Sequence, residues 1–151
     1  MIKTDLAYIA GFLDSDGCIT VSWGRTTKAG HRISVPLVSF YNRDMAVLTW
    51  IQSIFGGKLY NKPRTDKAHN IARQLMLRSQ NGEVLKCLKS VRPYLKIKHE
   101  QADCVIELIE SRIRRGWLGT SKHLPPTEHE TELAKKTQWL NQNRYFKNDQ
   151  T

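Results

Sequence analysis

Two aspartates stand at the end of a predicted helix, in a pattern that suits metal binding. Residues 9–17 read Ile-Ala-Gly-Phe-Leu-Asp-Ser-Asp-Gly, so Asp14 and Asp16 come directly before Gly17. Acidic side chains at the C-terminal end of a helix oppose the helix macrodipole, which favours cations there. A divalent cation would resolve this conflict, because Mg²⁺ binds carboxylate oxygens and is usually held by one or two carboxylates together with phosphate. The pattern therefore indicates a metal site at the end of this helix.

Two small residues, Ala10 and Gly11, lie earlier on the same predicted helix. They adjoin an apolar stripe with helical spacing, which consists of Leu6, Ile9, Phe12 and Leu13. Small residues on a helix let another backbone approach closely. The sequence therefore predicts a close contact between this helix and a second one.

The elements that must position these residues alternate between strand and helix patterns. Alternation of apolar and polar residues predicts strands at about 18–23, 33–37, 58–60 and 72–77. Helical spacing predicts helices that begin at Asp44 and near Asn81, and then helices over 99–113 and about 131–141. The order of elements is therefore α-β-β-α-β-β-α-α, with one more helix near the end.

The composition favours a basic, single-domain protein that binds a polyanion. Lys and Arg number 24 against 14 Asp and Glu, so the formal net charge is +10, and nucleic acid is the usual partner for such a charge. Three cysteines in no metal-binding spacing predict thiols in a reducing intracellular compartment, a bacterial cytoplasm or an organelle, and not a secreted protein. No apolar run approaches 18 residues, so we expect no membrane association.

Three segments of the chain resemble the LAGLIDADG homing endonucleases and their maturase relatives. Residues 9–17 are similar to the motif that names the family, with the Ala-Gly pair, both aspartates and the last glycine in place. Residues 92–102, Arg-Pro-Tyr-Leu-Lys-Ile-Lys-His-Glu-Gln-Ala, resemble the Pro-(Tyr/Phe)-Leu-x-x-Lys-x-x-Gln-Ala segment of the single-motif members. Residues 42–44, Leu48 and residues 55–57 resemble the family's post-strand turn, helix and glycine turn.

The resemblance covers about residues 5–115 and implies an α+β fold with the order αββαββα. In this fold, a four-stranded antiparallel sheet binds DNA on one face and is backed by helices on the other. We therefore expect residues 1–151 to form one endonuclease domain, with a helical extension at about 116–145.

The resemblance also implies a homodimer that makes a metal-dependent double-strand cut in a long pseudo-palindromic DNA target, as in intron mobility. A chain with one motif would pair with a second copy through Ile9, Ala10 and Gly11. Asp16 is the implied essential acid. Together with the backbone carbonyl of Ser15 it would bind Mg²⁺ or Mn²⁺, and the ion would be shared between the two Asp16 residues of the dimer.

Two further catalytic roles are implied. Lys98 would supply positive charge near the active water molecules or the scissile phosphate. Asn42 matches a position where relatives often carry a water-positioning glutamine, and Tyr41 is the alternative for that position. Asp14 is expected to cap or support the helix end and not to be the main metal ligand.

The strands supply the expected DNA contacts. We predict that the strand residues with side chains pointing away from the helices read the major groove, and that basic residues at the hairpin tips bind phosphates. In the second strand, this prediction places Ile33, Val35 and Leu37 on the buried face, and Pro36 indicates an edge position or a bulge. The predicted DNA-binding residues are Ser22, Arg25, Lys28, Arg32, Ser34, Lys58, Tyr60, Lys62, Arg64 and Gln74.

Two alternative functions share this fold. One is a maturase that binds intron RNA and assists splicing of a group I intron, and the other is a DNA-binding regulator that does not cleave. The intact Asp16 weighs against both, because neither function requires the catalytic acid.

Overall fold

A computed structural model describes residues 1–60, 72–79, 82–116 and 124–143 of the chain. These residues form α1 (Lys3–Asp16), β1 (Gly17–Thr26), β2 (Arg32–Asn42), α2 (Met45–Phe55), β3 (Lys58–Tyr60), β4 (Arg73–Arg78), α3 (Glu83–Val91), a short 3-10 turn (Arg92–Tyr94), α4 (His99–Arg114) and α5 (Glu128–Asn143). The predicted α+β fold is thereby confirmed. Among the described residues, no helix is long and apolar enough to cross a membrane.

The four strands form one antiparallel sheet in the order β1-β2-β4-β3. The predicted edge position of Pro36 holds only locally, because β2 is an interior strand. Pro36 pairs with Val21 of β1, but the pairing of β2 with β4 starts one residue later, at Leu37 and Arg78. Pro36 therefore has a paired strand on one side only, which is the edge-like position that proline, with no N–H to donate, tolerates in a sheet.

The core lies between one face of the sheet and the helices. Fully buried strand residues include Ile19, Val38, Phe40, Leu75 and Leu77. From α1, Ile9 and Leu13 are also completely buried, and Phe12 lies with its ring centroid 5.8 Å from that of Phe40. The helix that carries the acidic motif is thus anchored directly against the sheet.

The predicted orientation of β2 was wrong by one residue. Ser34, Pro36, Val38 and Phe40 are the buried residues that face the helices, whereas Ile33, Val35 and Leu37 lie half-buried on the open face. Ser34 is only 3% exposed, and its hydroxyl oxygen accepts a hydrogen bond of 2.7 Å from Nη2 of Arg112 on α4. Ser34 therefore cannot read the DNA groove from the open face.

Arg32 has the same strand parity as Ser34, so it also lies on the helix side and not on the open face. Its side chain is exposed at the start of β2, and its Cζ atom lies 5.8 Å from the ring centroid of Trp23 on β1. The pairing of β1 with β2 is irregular between Trp23 and Thr26, next to this contact.

Helix α5 covers the outer edge of β1. The side-chain amide of Gln138 donates to the carbonyl oxygen of Val21 at 3.0 Å, and that of Asn141 donates to the carbonyl oxygen of Ile19 at 2.8 Å. The indole N–H of Trp23 donates back to Gln138. An uncovered edge strand can pair with another chain, so these contacts protect β1 from such pairing.

A buried carboxylate joins α5 to α4. Glu130 is completely buried and accepts hydrogen bonds from Nε and Nη2 of Arg115, at 3.0 and 2.7 Å, and from the backbone N–H of Thr127 at 3.0 Å. Burial raises the pKa of Glu130, but these hydrogen bonds and the charges of Arg115 and Arg112 outweigh it, so that the pKa lies below its ordinary value of 4.5. Glu130 is therefore ionised at neutral pH.

Candidate functional site

The two aspartates at the end of α1 have different surroundings. One carboxylate oxygen of Asp14 accepts from the backbone N–H groups of Lys96 and Ile97, at 2.7 and 3.1 Å, and the other accepts from the N–H of Lys98 at 2.9 Å. These residues lead directly into α4, and a negative charge is favourable at the N-terminal end of a helix. The unfavourable position of Asp14 on α1 is therefore offset by α4, and no metal ion is needed to explain this aspartate.

Lys98 makes the complementary contact. Its ammonium group donates to the carbonyl oxygens of Leu13, at 2.8 Å, and Gly17, at 2.5 Å, which lie at the junction of α1 and β1. A cation is favourable at a helix C-terminus. Burial raises the pKa of the neighbouring Cys18 thiol, and the charge of Lys98 partly offsets this effect. The structure thus brings Lys98 to the end of the helix that carries Asp16, and its catalytic role stays a prediction.

Asp16 is the last residue of α1, and it is exposed, as is Ser15. Carboxylate and carbonyl oxygens are ligands that Mg²⁺ takes, so Asp16 and the Ser15 carbonyl suit that ion chemically. The part of the chain that the structure describes contains no group of three or more His, Cys, Asp or Glu side chains that could hold a metal. Metal binding by Asp16 therefore stays a prediction.

Asn42 ends β2 near the same end of the sheet, since Phe40, two residues earlier, pairs with Gly17. Its side-chain oxygen accepts from the backbone N–H of Asp44 at 2.8 Å. Asp44 in turn caps α2 by accepting from the N–H of Ala46, also at 2.8 Å. The side chain of Asn42 is therefore oriented by the turn that starts α2, and its water-positioning role stays a prediction.

Tyr41, the alternative to Asn42, points to the open face of the sheet. Its hydroxyl accepts a hydrogen bond of 3.1 Å from the side-chain amide of Gln74, which also donates to Ser39 at 3.0 Å. Gln74 is paired with Tyr41 on one side and with Tyr60 on the other. These polar side chains form one row across three strands.

The open face also carries the other predicted strand residues. Ser22, Lys58, Tyr60 and Gln74 all lie there by register, and the ammonium of Lys58 is 5.2 Å from the ring centroid of Tyr60. The sequence interpretation missed Arg78, which is exposed on this face opposite Leu37. Its parity with Gln74 and Met76 could have revealed it. DNA binding by these residues stays a prediction.

The remaining predicted DNA contacts lie at the hairpins. Lys28 is exposed in the turn between β1 and β2. The side chain of Arg25, and residues Lys62 and Arg64, lie outside the described part of the structure.

The outer face of α1 differs from the predicted pairing surface. Ile9 and Ala10 are completely buried in the chain's own core, so they cannot contact a partner, and this part of the prediction was wrong. Gly11 is exposed, and a Cβ atom built on it would meet no atom within 4 Å beyond its chain neighbours and the backbone of its own helix. Ala7 and Ser15, each four positions from Gly11, are exposed as well. The small residues on the outer face are therefore Ala7, Gly11 and Ser15.

Comparisons with known proteins agree with this architecture. A sequence model of the family described as LAGLIDADG endonuclease matches residues 9–89. None of the curated proteins matches the chain in sequence.

Solved structures share the fold over most of the chain. The homing endonuclease I-CvuI, in complex with the I-CreI target DNA, aligns with a TM-score of 0.70 and 22% identity over 91% of this chain and 82% of that chain. The homing endonuclease I-TnaI aligns with a TM-score of 0.54 and 25% identity over 91% and 96% of the two chains. The archaeal intron-encoded I-Vdi141I, complexed with DNA, aligns with a TM-score of 0.59 and 15% identity over 89% and 97%.

Proposed function

Because this chain belongs to the LAGLIDADG endonuclease family, we propose that two copies of it make a metal-dependent double-strand cut at a long pseudo-palindromic DNA site. The observation that carries the proposal is the contact of the Lys98 ammonium with the end of α1, directly beside the exposed Asp16. The ammonium of Lys98 is thus held at the carbonyl oxygen of Gly17, the residue next to the exposed Asp16, so a positive and a negative side chain belong to the same helix end. The structures of I-CvuI and I-Vdi141I bound to DNA support the choice of substrate.

Asp16 is the proposed metal ligand, together with the carbonyl oxygen of Ser15. A divalent cation bound there would lower the pKa of a water molecule and stabilise the attacking and leaving oxygens of the phosphodiester. The I-CvuI complexes with DNA were solved in the presence of 2 mM Mg or 2 mM Ca, which supports a divalent ion. A second chain and the DNA phosphate would complete the coordination that one chain offers only in part.

Lys98 is the proposed electrostatic catalyst. Lys98 is half-buried and its ammonium donates to two carbonyl oxygens, so its charge is held in place before DNA binds. A positioned charge stabilises the negative charge that develops on the phosphate oxygens without reorganisation during the reaction. Asn42 would orient the attacking water from the neighbouring turn.

The open face of the sheet is the proposed DNA-reading surface, with Arg78 added to the residues predicted from the sequence. A major groove about 12 Å wide admits such a ribbon of strands. Its row of amide and hydroxyl groups, at Tyr41, Gln74 and Tyr60, offers both donors and acceptors to base edges. The proposed dimer would double this surface and match a pseudo-palindromic target.

The proposal is tested by cleavage of the intron-minus insertion site of the protein's own gene, with Mg²⁺ and with EDTA. We expect double-strand cutting with Mg²⁺ only. Asp16→Asn should abolish cutting and retain DNA affinity, whereas Glu132→Gln, which removes an exposed carboxylate from α5, should leave both unchanged.

Two results would redirect the assignment. Binding without cutting by the wild-type protein would refute the nuclease and favour a regulator or, if the protein binds the intron RNA, a splicing maturase. Cutting that survives Asp16→Asn would refute the role of Asp16 alone.

A further inference from the structure

The segment 96–98 is held against the end of α1 by hydrogen bonds in both directions. Asp14 of α1 accepts three backbone N–H groups of the segment, and Lys98 of the segment returns two hydrogen bonds to carbonyl oxygens at the end of α1. The residues joined are 81–85 positions apart in the chain, so the contact is tertiary. Each helix end thus supplies the charge that the other one needs.

The three N–H groups form a cradle for the Asp14 carboxylate. Successive backbone N–H groups that point to one place make an anion-binding concavity. The residue before α4, Lys98, has no side-chain cap of its own, so the carboxylate from α1 is what occupies this end of α4. Both oxygens of Asp14 are used in this contact.

We propose that Asp14 is a positioning residue, which fixes the backbone of residues 96–98 and thereby holds the Lys98 ammonium at the catalytic end of α1. This inference rests on the proposed function, in which Lys98 acts on the scissile phosphate. A lysine side chain is long and flexible, so its ammonium reaches the carbonyl oxygens of Leu13 and Gly17 only if its backbone stays close to α1. The two aspartates of the motif therefore have different roles: Asp16 binds the metal ion, and Asp14 positions Lys98.

The test is a double-mutant cycle on the single-turnover cleavage rate with saturating protein. Asp14→Asn keeps the size of the side chain but cannot accept all three N–H groups. We expect a rate loss of about 10–100-fold, the size of effect that a shift of the order of 1 Å produces. In the Lys98→Gln background, Asp14→Asn should cause no further loss, because there is no ammonium left to position.

A matched control separates positioning from general stability. Glu83 also accepts backbone N–H groups from other segments, those of Gly57 at 3.1 Å and Arg78 at 3.5 Å, but it lies on α3, away from Lys98. Glu83→Gln should lower the urea midpoint of unfolding without reproducing the rate loss of Asp14→Asn. The Mg²⁺ concentration for half-maximal rate should be the same in Asp14→Asn as in the wild type.

A second readout does not depend on cleavage. In protein labelled with ¹⁵N-lysine, a protected Lys98 ammonium signal is expected for the wild type and for Glu83→Gln, and its loss is expected for Asp14→Asn. If Asp14→Asn does not fold, Asp14→Glu, which keeps the carboxylate but displaces it by one methylene, should weaken the signal and slow cleavage to a smaller extent.

Several outcomes would overturn the inference. Rate losses that multiply in the double mutant would mean that Asp14 acts independently of Lys98, and a raised Mg²⁺ requirement would make it a metal ligand. If Asp14→Asn leaves both the cleavage rate and the Lys98 ammonium signal unchanged, Asp14 only caps α4 and does not position Lys98. Absence of cleavage by the wild type with an intact ammonium signal would refute the proposed function instead.

Discussion

Replacing Gly11 by leucine should have opposite effects on the folding of one chain and on the association of two. Gly11 is exposed in the middle of α1, and a Cβ atom there would have no other atom within 4 Å apart from its chain neighbours and the backbone of its own helix. Glycine costs a helix interior about 0.8–1.0 kcal/mol relative to a good helix former such as leucine. The single chain should therefore gain about that much stability, or about 2–4 °C in Tm for a chain of this size.

We propose that the two chains of the dimer pair through the small exposed residues of α1, Ala7, Gly11 and Ser15, which would bring the two α1 helices close together. Association of the Gly11→Leu protein should therefore weaken. Excess volume in a packed contact costs about 1–3 kcal/mol, and a two-fold axis brings in the leucine twice. The free energy of dimer association should become less favourable by about 2–6 kcal/mol, which raises the Kd of the dimer by at least about 30-fold. Gly11→Ala is the matched control, since it gains most of the helix propensity with one added carbon.

Sedimentation velocity over a range of protein concentrations measures the association, and urea unfolding measures the stability. The wild-type unfolding midpoint should rise with protein concentration, whereas that of Gly11→Leu should not, because only a dimer couples folding to concentration. A Gly11→Leu protein that still sediments as a dimer would refute the proposed seam. A less stable Gly11→Leu monomer would show that the space around Gly11 is occupied.

Three further results are expected. Glu130→Gln should lower the free energy of unfolding by about 1.5–3 kcal/mol at neutral pH, because Arg115 and Thr127 then no longer donate to a charged carboxylate. The pKa of Glu130 is lower in the folded state than its ordinary value of 4.5. The ionised carboxylate therefore contributes fully to the free energy of unfolding above pH 4.5, and this contribution disappears as the pH falls through the folded-state pKa. Urea unfolding of the wild type and the variant should therefore converge in acid. Arg78→Ala should weaken DNA binding and reduce the slope of log K against log salt by about 1, as measured by fluorescence anisotropy. Cys87 is completely buried, which raises the pKa of its thiol, so it should resist a thiol reagent until the protein unfolds.

The strand pattern was sufficient to predict β2 but not the direction of its side chains. Ile33, Val35 and Leu37 alternate as a buried face would, yet they lie half-buried on the open side. The inward position of Ser34 is possible because Arg112, 78 residues further along the chain, supplies the hydrogen bond that a buried hydroxyl needs. Local periodicity contains no information about such a partner, so the error in β2 is a tertiary effect.

The elements and the site differ in how far the sequence predicts them. The order of helices and strands follows from local spacing, and the choice of Asp16 and Lys98 as candidate site residues follows from the resemblance. The role of Asp14 could not be predicted in detail, because its three partners lie 82–84 positions away. The covering of β1 by Gln138 and Asn141 was missed for the same reason, since both contacts exceed 110 positions in separation.

The last glycine of the motif explains why this helix end is suited to hold a reactive group. Helix α1 passes into β1 without a connecting residue, since Asp16 ends the helix and Gly17 begins the strand. The φ of Gly17 is −112°, which any residue adopts, but a Cβ atom there would lie 2.8 Å from Cα and 2.9 Å from the carbonyl oxygen of Leu13. Backbone atoms cannot yield as a flexible side chain does, so only glycine permits this direct transition. Asp16 is thereby held between an anchored helix and a paired strand, and Lys98 contacts the carbonyl oxygens on both sides of it. Because the backbone of Asp16 is fixed in this way, it would lose little freedom on binding a metal ion as proposed, which is a condition for effective electrostatic catalysis.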